Sequence, residues 1–234
     1  MKIYFSKMKT LISKFFAARA ICLLLALSAL FAGCATERTV FAERGTAFVC
    51  PSKPQSEIVR CKTLFIVAMP CEAEFVARHF GMREIGDGLF YDGRDNAMLI
   101  TQVGGAAVES ALRRIAVSGA VRIVNVGYAG ARGVERGGVV RVATTAKIES
   151  PNAPRSLAAS GVRGYSADEF VRSSELPEPC VFDMELFYIA EYFPNVESYK
   201  IISDTLNRDE YENFSPEASW KKFFEMYNSS ASKN

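Results

Sequence analysis

From residue 63 onward, short apolar runs alternate with amphipathic stretches. Residues 63–68 (TLFIVA) form a continuous apolar run, the pattern of a strand buried on both faces. Pro70 suits the first turn of a helix, where its missing N–H is not needed. The helix predicted there carries Phe75, Val76 and Phe80 at helical spacing, with His79 at the surface. Residues 89–91 and 97–103 are predicted as a hairpin turning at Asp95-Asn96. Gly104-Gly105 opens a helix to about Ser118, apolar at Ala107, Ala111 and Ile115 and solvated at Arg113 and Arg114. Residues 123–126 read as a buried strand and Gly127-Tyr128-Ala129-Gly130 as a tight bend. Residues 138–148 read as a strand, and residues 184–193 as a helix with Met184, Phe187, Tyr188 and Tyr192 on its apolar face. A strand over 200–203 and an amphipathic helix over 215–227, carrying Trp220, Phe223 and Phe224, complete the chain. Alternating strands and helices predict an α/β domain with a mainly parallel sheet.

The first 34 residues differ in kind. They hold Lys2, Lys7, Lys9, Lys14 and Arg19 and no acid, then an uncharged apolar run over 21–33 that ends at Cys34. A basic start, a short apolar stretch and small residues before a cut describe a secretory signal. The run is short for a membrane span, which needs about 20 residues. Ala32-Gly33-Cys34 resembles a bacterial lipobox, with Phe31 where the box has an aliphatic residue. The expectation is an exported lipoprotein of the bacterial cell envelope, anchored to the membrane by a lipid on Cys34. Ordinary cleavage nearby and an uncleaved anchor are the alternatives. Residues 35–62, with Pro51 and Pro54, read as a tether, and residues 63–234 as the domain. Cys50 and Cys61 either pair in an oxidising compartment or stay free thiols.

The whole chain carries +2; the first 34 residues hold five of its basic groups, which leaves the remainder at −3. No basic footprint for nucleic acid results. Gly104-Gly105 and residues 127–130 match neither a phosphate loop nor a dinucleotide fingerprint, and are expected to form the floor under a ribose. No metal-ligand spacing occurs and no cofactor is expected.

Chemistry is expected at Glu72, Met184-Glu185 and Asp204. Each follows an apolar run, where a strand hands over to a turn or helix. Carboxylates at strand ends of an open α/β sheet converge on the crevice where such sheets bind ligands. Environment can separate their pKa values and divide acid, base and hydroxyl-anchoring roles among them. Read singly, each is equally a solvated loop acid or a charge at a helix start.

Five segments, in order over about residues 62–226, resemble the nucleoside phosphorylase superfamily, in particular its methylthioadenosine/S-adenosylhomocysteine nucleosidase branch. Ala68-Met69-Pro70-Cys71-Glu72 resembles the opening Ala-Met-Glu-Glu-Glu of that branch. Asn125-Val126-Gly127-Tyr128-Ala129-Gly130 resembles its Asn-Thr-Gly-Ser-Ala-Gly, and Ser166-Ala167-Asp168-Glu169-Phe170-Val171 its purine segment. Phe182-Asp183-Met184-Glu185 resembles Val-Glu-Met-Glu, and Lys200-Ile201-Ile202-Ser203-Asp204 resembles Arg-Ala-Ile-Ser-Asp, with an aromatic at Phe214 ten residues on.

The resemblance implies a single-domain three-layer α/β/α fold around a mixed, mainly parallel sheet. It implies hydrolysis of the N-glycosidic bond of an adenine nucleoside: methylthioadenosine, S-adenosylhomocysteine or 5′-deoxyadenosine. Glu72 would be the base and Asp204 the acid. Met69, Gly127, Phe170, Val171, Met184, Glu185, Ser203 and Phe214 would bind substrate. Phosphorylases of the superfamily have an Arg where this chain has Asn125, so water is the implied nucleophile. The family's middle acids are Pro70-Cys71 here, its turn Ser is Tyr128, and Gln102 replaces a small hydroxyl residue. Residues 149–161 replace a longer segment whose loop reaches a partner's active site, which leaves a homodimer open. The alternatives are a purine nucleoside-binding lipoprotein that no longer turns over, and a structural surface lipoprotein.

Overall fold

The computed structural model describes residues 59–114, 117–118, 120 and 122–231. The signal, Cys34, Cys50 and most of the tether lie outside the described residues. The described residues open with β1 (Val59–Arg60), β2 (Thr63–Val67), α1 (Pro70–Phe80), β3 (Arg83–Gly86), β4 (Leu89–Tyr91), β5 (Asn96–Ile100) and α2 (Gly105–Arg114). Then come β6 (Val117–Ser118), β7 (Arg122–Arg132), β8 (Val139–Lys147), β9 (Arg155–Ser156) and β10 (Val162–Ser166). The last elements are β11 (Cys180–Asp183), α3 (Leu186–Tyr192), β12 (Glu197–Asp204), α4 (Arg208–Glu212) and α5 (Glu217–Ala231).

The main sheet is mixed and runs β11-β10-β8-β12-β7-β2-β5-β4-β3, with β9 beside β8. Its centre, β5-β2-β7-β12, is parallel. β2 is buried at every position, as a continuous apolar run requires. Its side chains alternate between two cores. Leu64 and Ile66 pack with Leu99, Val108, Leu112, Leu186 and Ile189 on the α2–α3 face. Phe65 and Val67 pack with Val124, Tyr199, Trp220 and Phe223 on the face covered by α1 and α5. Two helical layers therefore sandwich the sheet, as the α/β reading expects.

Several expectations are corrected. Residues 127–130 do not bend; they lie inside β7, an eleven-residue strand. The first part of β7 pairs with β2 and β12, and its end pairs antiparallel with β11, Phe182 opposite Gly130. The β4–β5 hairpin turns over residues 92–95, which include Asp95, while Asn96 already belongs to β5; the Asp92 carboxylate holds the turn by accepting from the N–H groups of Arg94 and Asn96 and from the Asn96 amide. β5 ends at Ile100, and Gln102 sits beyond it, exposed, at φ 67°. α2 stops at Arg114. α3 buries Leu186, Ile189 and Ala190; Met184 precedes it. His79 is exposed as expected but stacks on Phe224, ring centroids 3.7 Å apart. Among the described residues no helix is long and apolar enough to cross a membrane.

Candidate active site

An open cleft of about 610 Å³, including the space at its mouth, lies where β2, β11 and β12 end and β7 passes. That is where open α/β sheets bind ligands. Glu72, Glu185 and Asp204 all line it.

Glu72 is the third residue of α1 and is only 1% exposed. Pro70 starts the helix, so the Glu72 carboxylate can fold back over the helix start. Oε2 accepts the N–H groups of Ala68 and Met69, both at 2.9 Å, and Oε1 accepts that of Tyr128 at 2.8 Å. A carboxylate at this helical position satisfies backbone donors that the helix leaves open, and the helix start favours its negative charge. Burial nevertheless pushes its pKa above the ordinary value, against those three donors and the Lys200 charge. Gly127 lies directly against it: a Cβ there would stand 2.9 Å from Oε1. Gly127 does not line the cleft. The expected substrate contact is instead a space left for the carboxylate.

Asp204 ends β12 and is also 1% exposed. Its Oδ1 accepts the Leu206 N–H at 2.9 Å and its Oδ2 the Ser203 hydroxyl at 2.8 Å. Burial pushes its pKa up, with Glu210 adding to the shift and the two hydrogen bonds opposing it. The Ser203 Oγ is also 3.2 Å from the Ala129 carbonyl. A hydroxyl has one proton, so Ser203 serves either charge state. It donates to ionised Asp204, or turns to Ala129 and accepts from the protonated acid. A Cβ at Gly130 would lie 2.8 Å from Asp204 Oδ1, so this glycine too makes room for an acid.

Glu185 caps the cleft on the other side. Its Oε1 accepts the Gly104 N–H at 2.9 Å, and burial followed by the charge of Asp183 pushes its pKa up to about 7. Asp183 forms a 2.6 Å ion pair with Lys200, a lysine 1% exposed in the middle of β12. Asp183 also accepts the Ser166 hydroxyl and the N–H of Leu186, which fixes the start of α3.

Met69, Phe170, Val171, Met184 and Ser203 line the cleft as expected. Phe214 does not. It packs edge-on against Tyr128 with ring centroids 5.7 Å apart, under the Arg136 guanidinium. α4 intervenes and turns Tyr211 inward in its place. Tyr128, bulky where the resemblance has a Ser, lines the cleft while its hydroxyl accepts the Trp220 indole N–H at 3.0 Å. The sequence reading missed Tyr211, Leu206 and Val103. Lys200 did leave a signal, a charged residue inside an apolar strand run.

Asn125 is buried and away from the cleft. Its amide donates to the Ile66 carbonyl and accepts the Ser198 hydroxyl. Both polar atoms are engaged away from the cleft. Five acids line the cleft and, among the described residues, no Lys or Arg does. No described group of His, Cys, Asp and Glu is placed to hold a metal ion.

No protein-family model matches the chain, and no curated protein matches it. Solved structures do. A 5′-methylthioadenosine/S-adenosylhomocysteine nucleosidase from Chlamydia trachomatis, bound to adenine, is 18% identical with a TM-score of 0.58, over 74% of this chain and 99% of that one. A substituted nucleosidase of the same type from Helicobacter pylori, with 5′-methylthioadenosine in its active site, is 15% identical with a TM-score of 0.55, over 72% and 99%. The futalosine hydrolase of Helicobacter pylori is 14% identical with a TM-score of 0.55, over 74% and 99%. At this level of identity the likeness establishes the nucleoside phosphorylase-like α/β/α fold.

Proposed function

We propose that this protein hydrolyses the N-glycosidic bond of an adenine nucleoside, releasing adenine and a free ribose sugar. The observation that carries the reading is the unequal solvation of two buried acids on one cleft. Glu72 accepts three backbone N–H groups, whereas Asp204 accepts one N–H and one hydroxyl. Burial raises both acids; the three donors and the Lys200 charge oppose that shift at Glu72 and support its role as the base, whereas Asp204, with fewer donors and Glu210 nearby, is left as the acid that holds a proton. The shared fold supports the substrate class, since relatives of that fold hold adenine and 5′-methylthioadenosine.

In this mechanism Phe170 stacks on the purine, Met184 packs on the sugar and Glu185 accepts hydrogen bonds from the ribose hydroxyls. Asp204 donates a proton to the purine N7, so that a neutral base leaves as the glycosidic bond breaks. The ribose carbon gains oxocarbenium character. Water attacks that carbon from the opposite face and loses its proton to Glu72, as in inverting glycoside hydrolysis. The acid-lined cleft favours a developing cation and disfavours an incoming phosphate dianion, which would need cationic donors.

The test is base release in phosphate-free buffer. Adenine and free sugar are expected at a rate that added phosphate does not raise. A strict requirement for phosphate, with a sugar 1-phosphate as product, would overturn the hydrolytic reading.

A further inference from the structure

Tyr211 belongs to a short helix fixed from several directions. Asn207 caps α4 through the Asp209 N–H at 2.9 Å. Thr205 donates both its N–H and its hydroxyl to the Glu210 carboxylate, at 2.7 and 2.8 Å. Arg136 donates to the carbonyls of Ser203 and Glu210. This bracing aims Tyr211 into the cleft, where its ring meets Phe170 edge-on at 6.0 Å. Its hydroxyl donates to the Met69 sulfur at 3.7 Å. A thioether is a weak acceptor, so a half-buried phenol is left without a full-strength partner. Burial, then its acidic neighbours, Cys71 and Glu72 foremost, push that phenol up, which keeps it a donor.

In the proposed mechanism Phe170 is taken by the purine, Glu185 and Met184 by the ribose, and Glu72 and Asp204 by the glycosidic bond. Three hydroxyls remain on the cleft wall, those of Tyr128, Ser203 and Tyr211; the first is held by the Trp220 indole and the second by Asp204, whereas that of Tyr211 meets only the Met69 sulfur. Resting on that reading, we propose that Tyr211 is a specificity-determining residue: its hydroxyl, bridging to Met69 across the cleft, exchanges this sulfur for the oxygen of a 5′-hydroxyl. The site then prefers an unmodified adenine nucleoside to its 5′-deoxy or 5′-methylthio counterpart. An apolar 5′-group packs on Met69 equally well but leaves the phenol with its poor partner. The discrimination is modest, because the sulfur remains as a fallback.

The experiment compares the unmodified protein with Tyr211→Phe on adenosine, 5′-deoxyadenosine and 5′-methylthioadenosine. It reads kcat/KM from adenine release and Kd from calorimetry. Adenosine should be preferred to 5′-deoxyadenosine by about three- to tenfold, the range of one neutral hydrogen bond. Tyr211→Phe should erase that ratio by weakening adenosine alone. 5′-Deoxyadenosine, which lacks the partner oxygen, serves as the internal control for folding. Equal use of the two nucleosides by the unmodified protein, or a ratio that survives in Tyr211→Phe, would overturn the assignment. If no nucleoside yields adenine, the hydrolytic reading fails separately. The Tyr211 assignment then stands or falls on the same two comparisons made with Kd.

Discussion

Glu185 changes charge near neutrality, because burial and the Asp183 carboxylate push its pKa up to about 7. In the proposed mechanism the ionised form would accept from both ribose hydroxyls, and protonation would remove part of that capacity. The KM for a nucleoside should therefore fall as pH rises through about 7, and Glu185→Gln should remove that dependence. Stability moves the opposite way. A carboxyl whose folded pKa is raised contributes fully below its ordinary value of 4.5, and the contribution is lost as pH rises through about 7. The Tm difference between the unmodified protein and Glu185→Gln should shift across that window. A KM flat across the same window would remove Glu185 from ribose binding. Lys200 helps hold this charge balance through its ion pair with Asp183. Such a pair joins residues far apart in the chain, and only the lysine's apolar setting hinted at it.

At the scale of elements, β2, α1 and β12 were legible because one residue pattern serves both their fold and their place at the cleft. An apolar run followed by Pro70 dictates a strand and then a helix start, and the helix start places Glu72. β7 was misread because glycines in a short run signal a turn. Here Gly127 and Gly130 are strand residues whose missing Cβ atoms admit two carboxylates. α3 was misphased because Phe187 and Tyr188 look like core. Tyr188 and Tyr192 do pack on the edge of the core, but only half-buried; the rings of Phe187 and Tyr188 lie under the Lys147 ammonium, Phe187 also under the Arg155 guanidinium, while Leu186 and Ile189 are fully buried. The β7 finding has a direct consequence. Gly127→Ala would place a Cβ 2.9 Å from Glu72 Oε1 without straining an extended backbone. Displacing a reacting group by a fraction of an ångström to an ångström costs roughly 10–100-fold. Gly127→Ala should therefore fold, with a Tm near that of the unmodified protein, and release adenine roughly 10–100-fold more slowly. Full activity in this variant would show that the close packing of β7 on Glu72 is immaterial.

For the molecule as a whole, the sheet brings together acids that are 132 positions apart in sequence at its extremes, from Glu72 to Asp204. Three of these acids were visible as carboxylates closing apolar runs, since a strand end is both a pattern and a location. The cleft wall was less legible. Counting ten residues from Asp204 led to Phe214, whereas α4 rotates Tyr211 into the opening and sends Phe214 to Tyr128. A five-residue helix built on side-chain caps has no apolar period to announce it. The resulting site is strongly acidic and free of lining cations among the described residues, which suits a reaction that builds positive charge on a sugar.

The central claim is the division of labour between Glu72 and Asp204. The measurement is adenine release by the unmodified protein, Glu72→Gln and Asp204→Asn, with nucleoside affinity determined on each. Either amide keeps the shape of the acid but cannot carry its proton. Each variant should lose at least about 100-fold in turnover while its affinity stays within roughly tenfold. Unchanged turnover in both variants, or an unmodified protein that binds nucleoside without releasing adenine, would contradict it.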